Sequence, residues 1–173
     1  MSNQIPERLI NYKVYKDGVT PLGVATVELP DIESMTDTVT GAGIAGEIDS
    51  PTLGHFSSMG LTLNWRTLTG DGTSLAAPQS HHLEFRGSIQ VNDAGNGVLK
   101  TMPVRVVTKC TPKRIGLGSL EAAAAMDSSN EFEVTYMKVF VGGVERLEID
   151  KYNFVFKVNG VDHLAPVRKD LGM

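Results

Sequence analysis

Residues 59–66 read MGLTLNWR, in which Met59, Leu61, Leu63 and Trp65 alternate with Gly60, Thr62, Asn64 and Arg66. A period of two sends alternate side chains to opposite faces, so this stretch is a strand with one apolar and one polar side. Residues 83–91 repeat the pattern, with Leu83, Phe85, Ile89 and Val91 set against Glu84, Arg86, Ser88 and Gln90. A helix would space its apolar groups three or four apart, so neither stretch is helical. Half-buried strands of this kind belong to antiparallel sheets that press one face on a core.

The flanking sequence continues in the same period. Ile10, Tyr12 and Val14 share a face, and Asp17-Gly18 marks a turn before an extended run from Leu22 to Leu29. Val104, Val106, Thr108 and Cys110 form a face opposite Arg105 and Lys109. Phe132, Val134 and Tyr136 begin a strand that runs to Gly142-Gly143, a hairpin signal. The return strand carries Leu147 and Ile149 on one face, then Tyr152, Phe154, Phe156 and Val158 on the other, which predicts a bulge or bend near Asp150. The fold class is therefore mainly β, an antiparallel β-sandwich or barrel with at most one or two short helices. SLEAAAAM (Ser119 to Met126) has helix propensity with Ser119 as its cap, and a short turn is expected at Thr73 to Ala77.

Length and charge narrow the function. The 173 residues suit one domain over 1–173, with no repeat or linker. Net charge is −4, from 16 basic and 20 acidic residues, so the basic excess of a dedicated nucleic-acid binder is missing. Cys110 is the only cysteine, which rules out an intramolecular disulfide and suits assembly in a reducing cytosol. Residues 1–10 lack a signal-peptide core, and no run approaches the roughly 18 apolar residues of a membrane span, so no membrane anchoring is expected.

From Ile32 to Ser58 the residues are mostly Thr, Ser, Gly, Ala and Asp, and large apolar groups are few. A stretch this long without its own core predicts either an extended hairpin arm over 32–58 that packs on other subunits or a mobile loop. Within it, Gly41, Gly43 and Gly46 match the spacing of a dinucleotide-binding loop. That chemistry needs a strand before, a helix after and an acid about 20 residues on, and residues 60–66 supply neither helix nor acid. The glycines are read as tight turning points instead. His55, His81, His82 and His163 have no ligand at zinc spacing and are expected at the surface. No nucleophile elbow or carboxylate pair is present, so no catalytic residue, metal or cofactor is expected.

Several segments, in order, resemble the major tail tube proteins of contractile-tailed phages (the FII type). They are Ile5-Pro6-Glu7-Arg8-Leu9 with the following NYKVYKDG, Glu28-Leu29-Pro30, Thr40 to Gly46, GVERLEID from Gly143, KVNGVDH from Lys157, and Arg168 to Gly172. The resemblance spans nearly the whole chain and departs at Leu68 to Ser80, where the family has a clearer amphipathic helix. It implies a non-enzymatic virion protein, assembled in the host cytoplasm as a hexameric ring whose inward sheets merge into one barrel. Rings would stack into a tube inside the sheath, with baseplate and tail terminator proteins at its ends. Tape measure protein and DNA would pass through the lumen, or no DNA at all in a bacteriocin.

On that resemblance, Met35, Gly41, Gly43, Ile44, Gly46 and Ile48 are the assembly residues of the arm. Thr36, Thr38, Thr62, Asn64, Glu84, Ser88 and Gln90 are candidate lumen positions, since a polar or acidic lining lets DNA slide. Leu164, Val167 and Leu171 are candidates for a C-terminal latch on a neighbour. The alternatives are a type VI secretion tube protein, which gene context would separate, and a β-sandwich ligand-binding module. The latter needs an exposed aromatic platform, whereas aromatics are 6% and Trp65 lies on an apolar face.

Overall fold

The structure, a computed structural model, describes residues 3–23 and 26–173. In chain order these form β1 (Gln4–Lys16), β2 (Thr20–Leu22), β3 (Thr26–Glu28), β4 (Ser34–Val39), β5 (Ile48–Phe56), β6 (Gly60–Trp65), α1 (Gly70–Ser74), β7 (His81–Asp93), β8 (Val98–Gly116), β9 (Ser128–Val141), β10 (Val144–Asp150), β11 (Val155–Val158), β12 (Val161–Asp162) and α2 (Ala165–Asp170). All pairings are antiparallel. One sheet runs β12-β11-β10-β9-β8-β7-β1-β2, and β9 serves two neighbours along its outer edge. Its residues 128–133 pair with β6 and its residues 136–141 with β10, while β3 adds to β6. β4 and β5 pair only with each other, as a separate two-stranded sheet.

The alternating faces meet as their period requires. Met59, Leu61, Leu63 and Trp65 are fully or almost fully buried, and they share one cluster with Val14, Leu83, Phe85, Val106, Phe132 and Val134. Strands from both ends of the sheet feed this cluster, so the sheet curls around it. Full burial of each such side chain contributes about 1.5–3 kcal/mol. The polar groups around Trp65 are satisfied. Trp65 Nε1 donates to Asn130 Oδ1 at 2.8 Å, and Asn130 Nδ2 donates to the Gly72 carbonyl at 3.1 Å. That pair clamps α1, whose start is capped by Thr69 Oγ1 accepting from Gly72 N and whose end drives Leu75 into the core. Cys110 is buried as well, which pushes its thiol up to about 12 and leaves it inert.

Five expectations need correction. Tyr136 does not continue the face of Phe132 and Val134. The register slips between Lys109↔Tyr136 and Cys110↔Val134, which leaves Thr135 as an extra residue, and Met137 takes the core side instead. Asp150 marks a full reversal rather than a bulge. Its Oδ1 accepts from Tyr152 N and Asn153 N, the chain turns, and β11 pairs back on β10, which leaves Tyr152 exposed. Ser119 to Met126 is a loop: eight residues are below the length at which a helix survives without packing. Ser119 N bonds Met126 O at 2.9 Å, Met126 N bonds Arg66 O at 2.8 Å, and Leu120 is exposed. His81 is buried, with Nε2 3.0 Å from the Ala77 carbonyl and its ring edge-on to Phe132. The run from Leu22 to Leu29 holds two strands on different partners, β2 on β1 and β3 on β6. Val24 and Ala25, between them, lie outside the described residues.

Candidate assembly surfaces

The arm is the pairing of β4 with β5, joined by a tip over residues 40–47. Val39 faces Ile48 and Asp37 faces Ser50, so Asp37 and Val39 share one side with Ile48 and Ser50, while the register breaks at Met35 between Ser34 and Thr36. Thr36, opposite Pro51, and Thr38, opposite Asp49, take the other side. The hairpin residues are exposed on both faces, Met35 and Ile48 each to 52%. At the tip Ile44 N bonds Gly41 O at 3.1 Å, with Gly43 and Gly46 at φ values of +91° and +113°. No helix follows, so the nucleotide-loop reading has no structural support.

The root of the arm is pinned by residues that the sequence did not single out. Ser57 N bonds the Glu33 carbonyl at 2.8 Å and closes the hairpin base. Lys151 Nζ donates to the Ser57 carbonyl at 2.8 Å. The Glu133 carboxylate accepts from Ser58 Oγ and from Met59 N, with Lys151 at 3.5 Å and Lys113 at 3.7 Å. Burial alone would raise the Glu133 pKa. The two hydrogen bonds and the two ammonium groups outweigh it and hold the carboxyl below its ordinary value. Only the polar side of β9, with Glu131 and Glu133 at alternate positions, hinted at this anchor.

The seven polar candidates do not share one surface. Thr36 and Thr38 belong to the arm. Thr62 and Asn64 lie on the outer side of β6, where Asn64 Nδ2 donates to Thr26 Oγ1 at 3.0 Å. Ser88 and Gln90 lie on β7 next to β1, and Gln90 Nε2 donates to Glu7 at 2.6 Å. Hydrogen bonds from Gln90 and Asn92 lower the pKa of Glu7. Glu84 is buried, with Arg86 Nε at 2.6 Å and Arg105 at 3.8 Å. Those two guanidinium groups lie over the rings of Tyr15 and Phe140, at 4.4 and 4.2 Å. Glu84 is therefore committed within its own sheet.

The C-terminal candidates also divide. Leu164 is 3% exposed and packs inside its own chain, where Gly54 makes room: a Cβ at Gly54 would overlap the Leu164 side chain. Its side chain is thus already buried within its own chain. Val167 is half-buried on α2, and Leu171 remains exposed. Sequence reading did not expect α2, which carries Pro166 in its first turn. Arg168 secures it, with NH2 2.6 Å from Asp162 Oδ2 and NH1 2.7 Å from the Phe154 carbonyl. The hydrogen bond from Arg168 holds the Asp162 carboxyl below its ordinary pKa.

Among the described residues no three His, Cys, Asp or Glu side chains converge to hold a metal ion, and no helix is long and apolar enough to cross a membrane.

Comparison with known proteins gives the setting. The family described as phage tail tube protein FII matches residues 6–172. The tail tube protein of Escherichia phage P2 is 30% identical over 179 residues, covering 98% of this chain and 99% of the relative. Among solved structures, the sheath/tube terminator of the PVC extracellular contractile injection system in its extended state superposes with a TM-score of 0.52 at 15% identity, over 79% of this chain and 96% of that chain. The last likeness is one of fold.

Proposed function

The chain belongs to the phage tail tube protein FII family and is a structural subunit of a contractile tail tube, a component of the virion; on that premise we propose that it works as hexameric rings stacked around a channel. The observation that carries the ring is a pair of surfaces available for assembly: an exposed hairpin with no core of its own, and an open stretch of strand edge on β8. β1 meets β7 on one side and bonds β2 at Val14, Tyr15 and Lys16 on the other. β8 meets β9 from Val104 onward and the Pro103 carbonyl accepts from Gly142 N, so among the described residues 98–102 have no strand partner on that side. Exposed edges invite pairing, and a head-to-tail contact between different surfaces closes into a ring when the rotation allows.

In this reading residues 1–173 act as one tube domain with 32–58 as its arm. The sheath surrounds the tube, terminator and baseplate proteins close its ends, and tape measure protein and then DNA occupy the lumen in turn. The −4 charge of each copy supports a channel that does not bind phosphate, because gripping DNA requires cations that displace its counterions. The test is negative-stain microscopy of concentrated protein. Hollow tubes or six-membered rings are expected, and a chain that stays monomeric at every concentration overturns the reading.

A further inference from the structure

A two-stranded hairpin standing alone is marginal in water, so the order of the arm has to come from what it touches. β4 and β5 pair only with each other. Their base is tied at residues 57–59, where Lys151 and Glu133 hold Ser57, Ser58 and Met59. A tie at one place leaves a rigid body free to swing about it. A second contact, further up β5, is what sets a direction.

That contact comes from the C-terminal segment. Leu164 is 3% exposed, yet it lies outside the main apolar cluster of the sheet. Its side chain fits against Gly54, three residues before Ser57 and so about 10 Å up the strand. Gly54 admits it for two reasons: its φ is +72°, and a Cβ there would stand 2.5 Å from Leu164 Cδ2. Between the two ties, the Phe56 ring meets Phe156 edge-on with centroids 5.0 Å apart, and Phe156 in turn lies 5.6 Å from the His163 ring.

The segment that carries Leu164 cannot hold itself. β12 pairs with β11 at two positions only, and the six residues of α2 are too few for a helix to persist unaided. Arg168 supplies the fastening. Its NH2 lies 2.6 Å from Asp162 Oδ2, and its NH1 donates to the Phe154 carbonyl at 2.7 Å. Asp162 Oδ1 accepts from Leu164 N at 3.1 Å, which seats the leucine directly. Phe154 stands at φ +51°, a conformation that a bulky residue keeps only where its surroundings impose it.

We propose that residues 161–170 form a brace within the chain: Arg168 locks α2, α2 seats Leu164 against Gly54, and the arm is thereby fixed in direction before it meets another copy. Ordering a segment in advance removes that cost from association, so a braced arm assembles more readily than a swinging one. The brace rests on contacts inside one chain, and its effect on assembly rests on the tube reading.

The test takes the full chain with nitroxides at Thr38→Cys on the arm and Thr101→Cys on β8, both exposed, while Cys110 is buried. Pulsed dipolar spectroscopy of the dilute, unassembled protein should give one narrow distance distribution. Adding Arg168→Met should broaden it about twofold and, in the unlabelled chain, lower tube yield about tenfold, with the β circular dichroism spectrum unchanged. Arg168→Lys, which reaches one of the two oxygens at a time, should fall between. Gly54→Ala disturbs the same contact from β5 and should broaden the distribution in the same way, so it decides the matter if Arg168→Met fails to fold. Distributions as narrow as the parent's in these variants overturn the brace. A loosened arm that still builds tubes at the parental yield overturns its role in assembly. A parent chain that builds no tubes overturns the tube reading and that assembly role with it, while the distances still decide the brace.

Discussion

Gly43 sits at φ +91°, and the place where a Cβ would stand is open space. A substitution there strains the backbone without colliding with a neighbour, at a cost of about 1–3 kcal/mol confined to the arm tip. Gly43→Val should therefore leave the melting temperature of the monomer nearly unchanged and reduce tube formation, measured by sedimentation. Equal loss of both would place the glycine within the cooperative fold. Leu164 makes the opposite case. Leu164→Ala empties a buried site beside Gly54 and should cost about 2–5 kcal/mol in denaturant unfolding of the monomer. Leu171→Ala, at an exposed position, should stay within about 0.5 kcal/mol. Equal effects of the two would remove the distinction drawn between them. Side-chain alternation revealed Met59 to Trp65 because each residue there follows one period. It missed Tyr136 because a single extra residue, Thr135, inverts the period with no compositional mark.

The arm is legible as an element in its length and poverty of large apolar groups, whereas its anchor is not, since Glu133 and Lys151 are distant in sequence and meet Ser57 and Ser58 only through folding. The C-terminal α2 was illegible for a similar reason: Leu164 looks like any terminal leucine until Gly54 is seen to make room for it. Because β4 and β5 pair only with each other, deletion of residues 35–50 should abolish tubes yet leave a folded β monomer by circular dichroism. Tubes from the deleted chain would show that the arm is not the assembly element. The anchor should respond to pH. The Glu133 pKa in the folded chain lies below its ordinary 4.5, so its stabilisation is present above 4.5 and is lost as pH falls through the lower folded value. Hydrogen exchange at the Ser57 amide should accelerate over that interval relative to amides in β8, and Glu133→Gln should abolish the pH-dependent part. An unchanged ratio across the interval would separate Glu133 from the arm.

At the scale of the molecule, the chain has a complete core on one side of its curled sheet and unfinished surfaces elsewhere. Its hairpin lacks a core, and among the described residues 98–102 of β8 have no strand partner on the side away from β7. A freely diffusing monomer gains nothing from such surfaces, because open edges and apolar faces promote aggregation. In the proposed ring they would form its interfaces. The mainly β class was legible from alternation alone. The surfaces were not, because curl and register decide which faces remain open, as the scatter of Thr36, Thr62 and Glu84 over three separate places shows. Cryo-electron microscopy of tubes assembled from the purified full chain tests the account most directly. Six subunits per ring, with Met35, Val39 and Ile48 buried against another copy, is the predicted result. A tube in which the arm points into solvent, or a chain that forms no ring, would contradict it.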